Sequence, residues 1–223
     1  MSPSVYLGAA GFGLIAVCYG FARFAFGLFL PQIDTDLALT PTLSGFISGG
    51  AFLGYCLAII LSAYLTERIG ARAVAIGAAL VAAVGMAGIA TAPSPLLLAS
   101  AVMLAGSSTG LASPPMAAAV ATAVRRDRQS ATNTIINAGT SAGVVFSGPV
   151  ALLMGGQWRL AFACFAVAAF VMAVVAALSV PSGTKATQVS GGLPPFNSVI
   201  MRLIAAAFLM GASSTAIWYF GGK

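Results

Sequence analysis

An arginine stands inside a long apolar run, Tyr19-Gly-Phe-Ala-Arg-Phe-Ala-Phe-Gly27. Its guanidinium keeps its charge, offers five donors and matches a carboxylate with two parallel bonds. Placing such a group within a membrane helix costs roughly 3 kcal/mol, so intramembrane arginines are seldom idle. Arg23 could hold an anionic group of a small molecule, with Tyr19 one turn before it. It could equally hydrogen-bond to a neighbouring helix. A third course is to snorkel to the interface, since Pro31 follows about two turns later. Gly20 and Gly27 lie three before and four after Arg23. On a regular helix these spacings predict that all three share one bundle-facing side.

A second polar group opens a later apolar run, Thr132-Asn-Thr-Ile-Ile-Asn-Ala-Gly-Thr-Ser141. Asn133, Asn137 and Thr140 or Ser141 recur at helical spacing. Their amides and hydroxyls could line a polar cavity and bind a ligand, or could join helices by hydrogen bonds. Ser107, Ser108, Thr109 and Ser113 form a weaker cluster read as packing, and Pro114-Pro115 predicts a kink with freed carbonyls.

Other chemistry lacks its residues. The chain has no histidine and only four acids, Asp34, Asp36, Glu67 and Asp127, none inside an apolar run. That leaves no intramembrane proton carrier, no His-based catalytic dyad and no His-ligated zinc site. Cys18, Cys56 and Cys164 read as small packing residues. No catalytic residue, metal site or cofactor is expected, and an enzyme is not. A retinal-type receptor would want a lysine within its last span, which has Arg202 at its start and Lys223 only after its end.

The elements that must position these residues follow from composition. Of 223 residues, 60% are hydrophobic and 6% charged, and the mean hydropathy is +1.02. Soluble domains carry about one quarter charged residues, so this is an all-α, polytopic membrane bundle. Spans of about 20 apolar residues are predicted at Val5–Leu30, Leu43–Tyr64, Val74–Ala92, Leu96–Val124, Thr132–Met154, Leu160–Val180 and Val199–Phe220. Residues 1–180 form a six-span bundle and 181–198, rich in Ser, Gly, Thr and Pro, a cytoplasmic linker. Residues 199–223 are the seventh span. Met1 to Tyr6 lacks the basic start of a secretion signal, so the first span is read as retained.

Charge orients these spans. Arg68, Arg72, Arg125, Arg126, Arg128, Lys185 and Arg202 fall on one side, seven of the 10 bases. The positive-inside rule makes that side cytoplasmic and places the N-terminus there. The net charge of +6 therefore points to the lipid bilayer as partner and not to nucleic acid. Glycine pairs four apart, Gly45/Gly49, Gly50/Gly54, Gly106/Gly110 and Gly139/Gly143, predict close helix contacts. Gly13, Gly20 and Gly27, seven apart, extend the pattern.

The turn Ala63-Tyr-Leu-Thr-Glu-Arg-Ile-Gly-Ala-Arg72 resembles the loop between the second and third spans of the major facilitator superfamily, G-x-L-A-D-R-x-G-R-K. Leu65, Arg68 and Gly70 match, and Arg72 stands for a lysine. Glu67 replaces aspartate, and Ala63 and Ala71 depart from the pattern. Gly156-Gln-Trp-Arg-Leu-Ala-Phe162 is similar to the family's G-W-R-x-x-F, through Trp158 and Arg159. Gly148-Pro149 partly resembles a glycine–proline motif of the antiporter branch, with Gly143 one residue out of register. The fourth-span arginine of proton-coupled members has no counterpart at Val102 or Gly106.

The resemblance implies a secondary transporter of a small solute, a permease or efflux protein of the bacterial inner membrane that works by alternating access. Arg23, Asn137, Asn133 and Tyr19 are its expected substrate residues, and the substrate is expected to be anionic. Leu65, Glu67, Arg68, Gly70 and Arg72, with Gly148, Pro149, Trp158 and Arg159, are expected to serve gating or structure. Family members set two six-span halves around the substrate. The chain is therefore expected to be a truncated form with one half, the linker and one further span, completed by a missing half or a second chain. The alternative is a non-transporting fragment or membrane-assembly subunit.

Overall fold

The computed structural model describes residues 3–154 and 156–182, together with 198, 201–202, 205–206 and 209. The chain divides into two compact units, Met1–Thr187 and Gln188–Lys223. In the second unit the six described residues are helical; most of the predicted seventh span and of the predicted linker lies outside the described residues.

The first unit is all-helical among the described residues. A backbone in lipid must satisfy its own polar groups, and for a chain of apolar runs the helix is the solution. The first span is composite: α1 (Pro3–Ile15), a π-helical segment (Ala16–Phe24) and α2 (Ala25–Asp36). Next come α3 (Pro41–Ile69), α4 (Ala71–Thr91), α5 (Pro95–Ala123), α6 (Arg126–Leu153) and α7 (Trp158–Ser179). Six stretches are long and apolar enough to cross a membrane. The chain is a multi-pass membrane protein.

Span boundaries differ from expectation at three places. Helix α3 runs on to Ile69, so Leu65–Ile69 extend the helix expected to end at Tyr64 and the turn itself narrows to Gly70. The first helix runs through Pro31 to Asp36, because proline removes only one donor and need not end a helix whose neighbours continue. Asp34 and Asp36 thus belong to its last turn. Arg126, Asp127 and Arg128 likewise form the first turn of α6 instead of a turn before it.

Packing follows the small residues. Helix α5 packs on α3 and α4, α4 also packs on α7, and the first span packs on α6, α5 and α7. A Cβ at Gly106 would meet the Ala51 backbone, and one at Gly110 would meet Tyr55 and Ile59 of α3. Gly139 and Gly143 bring α6 onto the backbone of Phe12 and Ala16. Without a hydrophobic drive between spans in lipid, such close approach supplies the attraction. Gly45 and Gly49 differ from the other pairs: each faces open space.

Helix α5 runs on through Pro114 and Pro115. Pro115 cannot donate to the Leu111 carbonyl four residues back. Ser62 Oγ of α3 donates to that carbonyl instead, at 2.9 Å. A buried hydroxyl of a neighbouring span therefore repairs the proline's defect.

Candidate functional site: an arginine among aromatic rings

The π-helical segment governs the geometry around Arg23. Nine residues, Ala16–Phe24, follow the wider i→i+5 pattern, a form concentrated at functional sites. The wider turn changes the angle at which each residue leaves the helix axis. Gly13 faces Met172 of α7, Gly20 presses on the Gly143 backbone of α6, and Gly27 has nothing within 4 Å. The expected shared face of Gly20, Arg23 and Gly27 is therefore not formed. A regular 3.6-residue period was the premise of that expectation, and the segment does not keep it.

Arg23 turns toward α3. Its guanidinium carbon lies 4.2 Å from the Phe52 ring centroid, 4.8 Å from Tyr55 and 5.4 Å from Phe24. These contacts stabilise a cation but accept no N–H bond. No carboxylate pairs with Arg23 among the described residues, and its buried Nε has no hydrogen-bond partner. Phe52 and Tyr55 lie 11 and 14 residues into α3 from Pro41. At 1.5 Å per residue they sit about 16–21 Å from its N-terminal end, near the middle of a bilayer core of about 30 Å. The side chain thus rests at mid-membrane, which removes snorkelling from its alternatives.

Tyr19 joins this group. Its hydroxyl lies 3.0 Å from Ser113 Oγ of α5, tying the π-helical wall to the helix that carries the two prolines. Phe21 stacks on Phe165 of α7 at 4.5 Å and 12°, fixing the opposite side of the same segment.

The asparagines are elsewhere. Gly20 and Gly143 mark one level on two spans that run in the same direction. Arg23 lies three residues beyond that level and Asn137 six before it, about 13 Å apart along the axis. Asn137 Nδ2 donates to the Asn133 carbonyl at 2.9 Å, and neither asparagine bonds to Arg23 among the described residues. Helix α6 has three distinct sides. Ile136, Gly139, Gly143 and Ser147 are buried against the first span. Ile135 and Phe146 form an exposed apolar side. Ser130, Thr134, Asn137 and Ser141 form an exposed polar side flanked by Asn133 and Thr140.

The turn residues separate into two roles. Gly70 closes α3 into α4 at φ 89°, a left-handed conformation that side chains resist. Arg72 donates to the Ala177 carbonyl at the end of α7, so it binds spans of this unit together. Glu67 is exposed and pairs with no described base, while exposed Arg68 stacks on Tyr64 at 4.4 Å. Leu65 is half-buried. Gly148 faces open space and Pro149 is exposed within α6.

At the other end Trp158 and Arg159 form a clasp. Trp158 Nε1 donates to Asp36 Oδ2 at 3.1 Å. Arg159 stacks on that indole at 4.1 Å, reaches Asp36 at 3.9 Å and donates to the carbonyls of Ala92 at 2.9 Å and Ala90 at 3.3 Å. Ser44 Oγ donates to Asp34 at 2.6 Å. Four helix ends, of α2, α3, α4 and α7, are joined in this way. The sequence reading missed Phe52 and Tyr55, gave Asp36 no partner and took Ser113 for packing. The aromatic pair Phe52/Tyr55, three apart in an apolar run, was a usable signal; the Asp36 pairing over 122 residues was not.

Six long apolar helices packed on one another define a class, the polytopic membrane helix bundles. The family comparison is specific: residues 12–222 match the Major Facilitator Superfamily model, and the chain belongs to that family. No curated protein matches the chain. Among solved structures, a mutant peptide transporter POT in complex with sulfate aligns with TM-score 0.67 and 21% identity over 96% of this chain and 45% of that one. The same transporter mutant with alafosfalin gives TM-score 0.68 and 22% identity over 97% and 46%. The chain thus spans less than half the length of these structures, and at such identity the likeness shows the fold.

Proposed function

We propose that the six described spans are the substrate-carrying half of a secondary transporter for a small anionic solute, working by alternating access. The observation that carries this reading is Arg23: a mid-membrane cation stabilised by three rings, with no carboxylate among the described residues and a free Nε–H. A substrate carboxylate would supply the acceptor the site lacks, with Tyr19 and Tyr55 beside it. The terminal carboxylate of a peptide is one group of this kind, which accords with the peptide transporters named above.

The exposed polar side of α6 supports the same reading. Amides facing hydrocarbon are costly, so Asn133 and Asn137 face an aqueous path or the opposing half. Glu67 and Arg68 are the gate contacts toward that half. Arg72, Trp158 and Arg159 hold this half together as one body. The basic end, with the N-terminus, lies in the cytoplasm of a bacterial inner membrane.

The test is thermal stabilisation of the purified full chain by a panel of small carboxylates and peptides against their neutral amides. Carboxylates stabilise the native protein and lose that effect in Arg23→Ala; equal stabilisation by the amides overturns the anionic assignment. Flux in liposomes then separates a transporter from a non-transporting membrane subunit, the second reading. Ligand binding without flux from the chain alone supports that second reading.

A further inference from the structure

A groove of about 590 Å³ lies between α1 and α6 at the basic end of the bundle. Its walls are Val5, Ala9 and Phe12 of α1 and Ala131 and Ile135 of α6, and Arg128 stands at its mouth. Small residues create the space: a Cβ at Gly8 would be 3.8 Å from Thr132, so the two helices meet there and diverge beside it. The lining offers almost no hydrogen-bonding partner, since Thr132 Oγ1 is already bonded to the Arg128 carbonyl at 2.9 Å. Water gains nothing in such a groove, whereas a hydrocarbon chain gains contact along its whole length.

The mouth has the opposite chemistry. Arg125 pairs with Asp127 at 3.2 Å. Arg128 is exposed and pairs with no carboxylate among the described residues. It sits in the first turn of a 28-residue helix, whose positive dipole end adds to its charge. From Arg128 to Ile135 the groove runs about 10 Å into the membrane. A cation at headgroup depth above an apolar channel is the arrangement by which basic pockets between spans take anionic lipid headgroups.

We propose that this groove is a binding site for one anionic phospholipid of the leaflet on the basic side. Its phosphate rests on Arg128, and one acyl chain lies between α1 and α6. The proposal is independent of Arg23 and of the transport reading. It also assigns the open side of the α1–α6 contact to lipid, while the polar side of α6 is left for the solute path.

Native mass spectrometry of the purified full chain, titrated with phosphatidylglycerol or with phosphatidylcholine of the same chains, tests it. The protein retains one phosphatidylglycerol in preference to phosphatidylcholine. Arg128→Gln lowers that retention about fivefold, as expected for one base at an anionic surface. Arg126→Gln removes an equal charge two residues away and leaves retention within about twofold of the native value. Ala131→Phe, at an exposed position that tolerates bulk, fills the groove and lowers retention with every base intact. Equal loss in Arg126→Gln and Arg128→Gln overturns the site in favour of a diffuse basic belt. Equal retention of the two lipids, or no effect of Ala131→Phe, overturns it as well.

Discussion

Arg23 and Arg159 are both arginines of a membrane protein, and both lie against aromatic rings. Arg159 stacks on Trp158 and spends its donors on Asp36 and on the carbonyls of Ala90 and Ala92. Arg23 stacks on Phe24, Phe52 and Tyr55 and has no acceptor for Nε. Rings stabilise a cation without consuming its N–H groups. An arginine that has rings and acceptors is finished as a structural piece; one with rings alone remains able to bind. Location agrees. Arg159 joins helix ends where water can share the charge, whereas Arg23 is held where an unpaired charge is costly.

Four changes sharpen or break this contrast. The largest effect is expected from Gly143→Leu, which drives a side chain into the Gly20 backbone and displaces the segment that aims Arg23. Overpacking at a backbone contact should cost more than about 3 kcal/mol, read as loss of monodisperse protein after extraction. Arg23→Ala should leave extraction and melting nearly unchanged yet weaken the response to carboxylates at least about tenfold. A large loss of stability instead would place Arg23 with Arg159 as a structural piece.

Arg159→Ala should do the reverse. Its carbonyl bonds and partly exposed ion pair are worth about 1–2 kcal/mol together, or a fall in melting temperature of about 2–8 °C, with the carboxylate response retained. The smallest effect is expected from Asp36→Asn. It removes the charge facing Arg159, but the amide oxygen can still accept from Trp158, so melting should fall by no more than about 1–2 °C. A fall as large as that of Arg159→Ala would show that the ion pair, and not the carbonyl bonds, holds the clasp.

The resemblance pointed to Trp158 and Arg159 as gating or structural residues, and the geometry makes them structural within the described unit. It grouped Glu67, Arg68 and Arg72, and the geometry divides them: Arg72 turns inward to α7, Glu67 and Arg68 outward. It grouped Arg23 with Asn133 and Asn137, which lie at another level. In each case the residue type was readable and its direction was not. A helix written as sequence yields direction only if its period is known, and the nine π-helical residues alter that period between Gly13 and Gly27.

What the sequence determined by itself was the membrane class, the six crossings of the first unit, the Gly70 turn and the family. These rest on local properties: an apolar run long enough to cross lipid, a charged turn that cannot stay in it, and a glycine where φ must be positive. The tertiary structure alone decided that Arg23 meets rings of α3, that Asp36 receives Trp158, and that Ser62 takes the carbonyl freed by Pro115. Each pairs residues of different spans. Lipid supplies no hydrophobic force that would write such pairings as a pattern along one helix; close backbone contacts such as Gly20 on Gly143 set them, and those exist only once the helices have met.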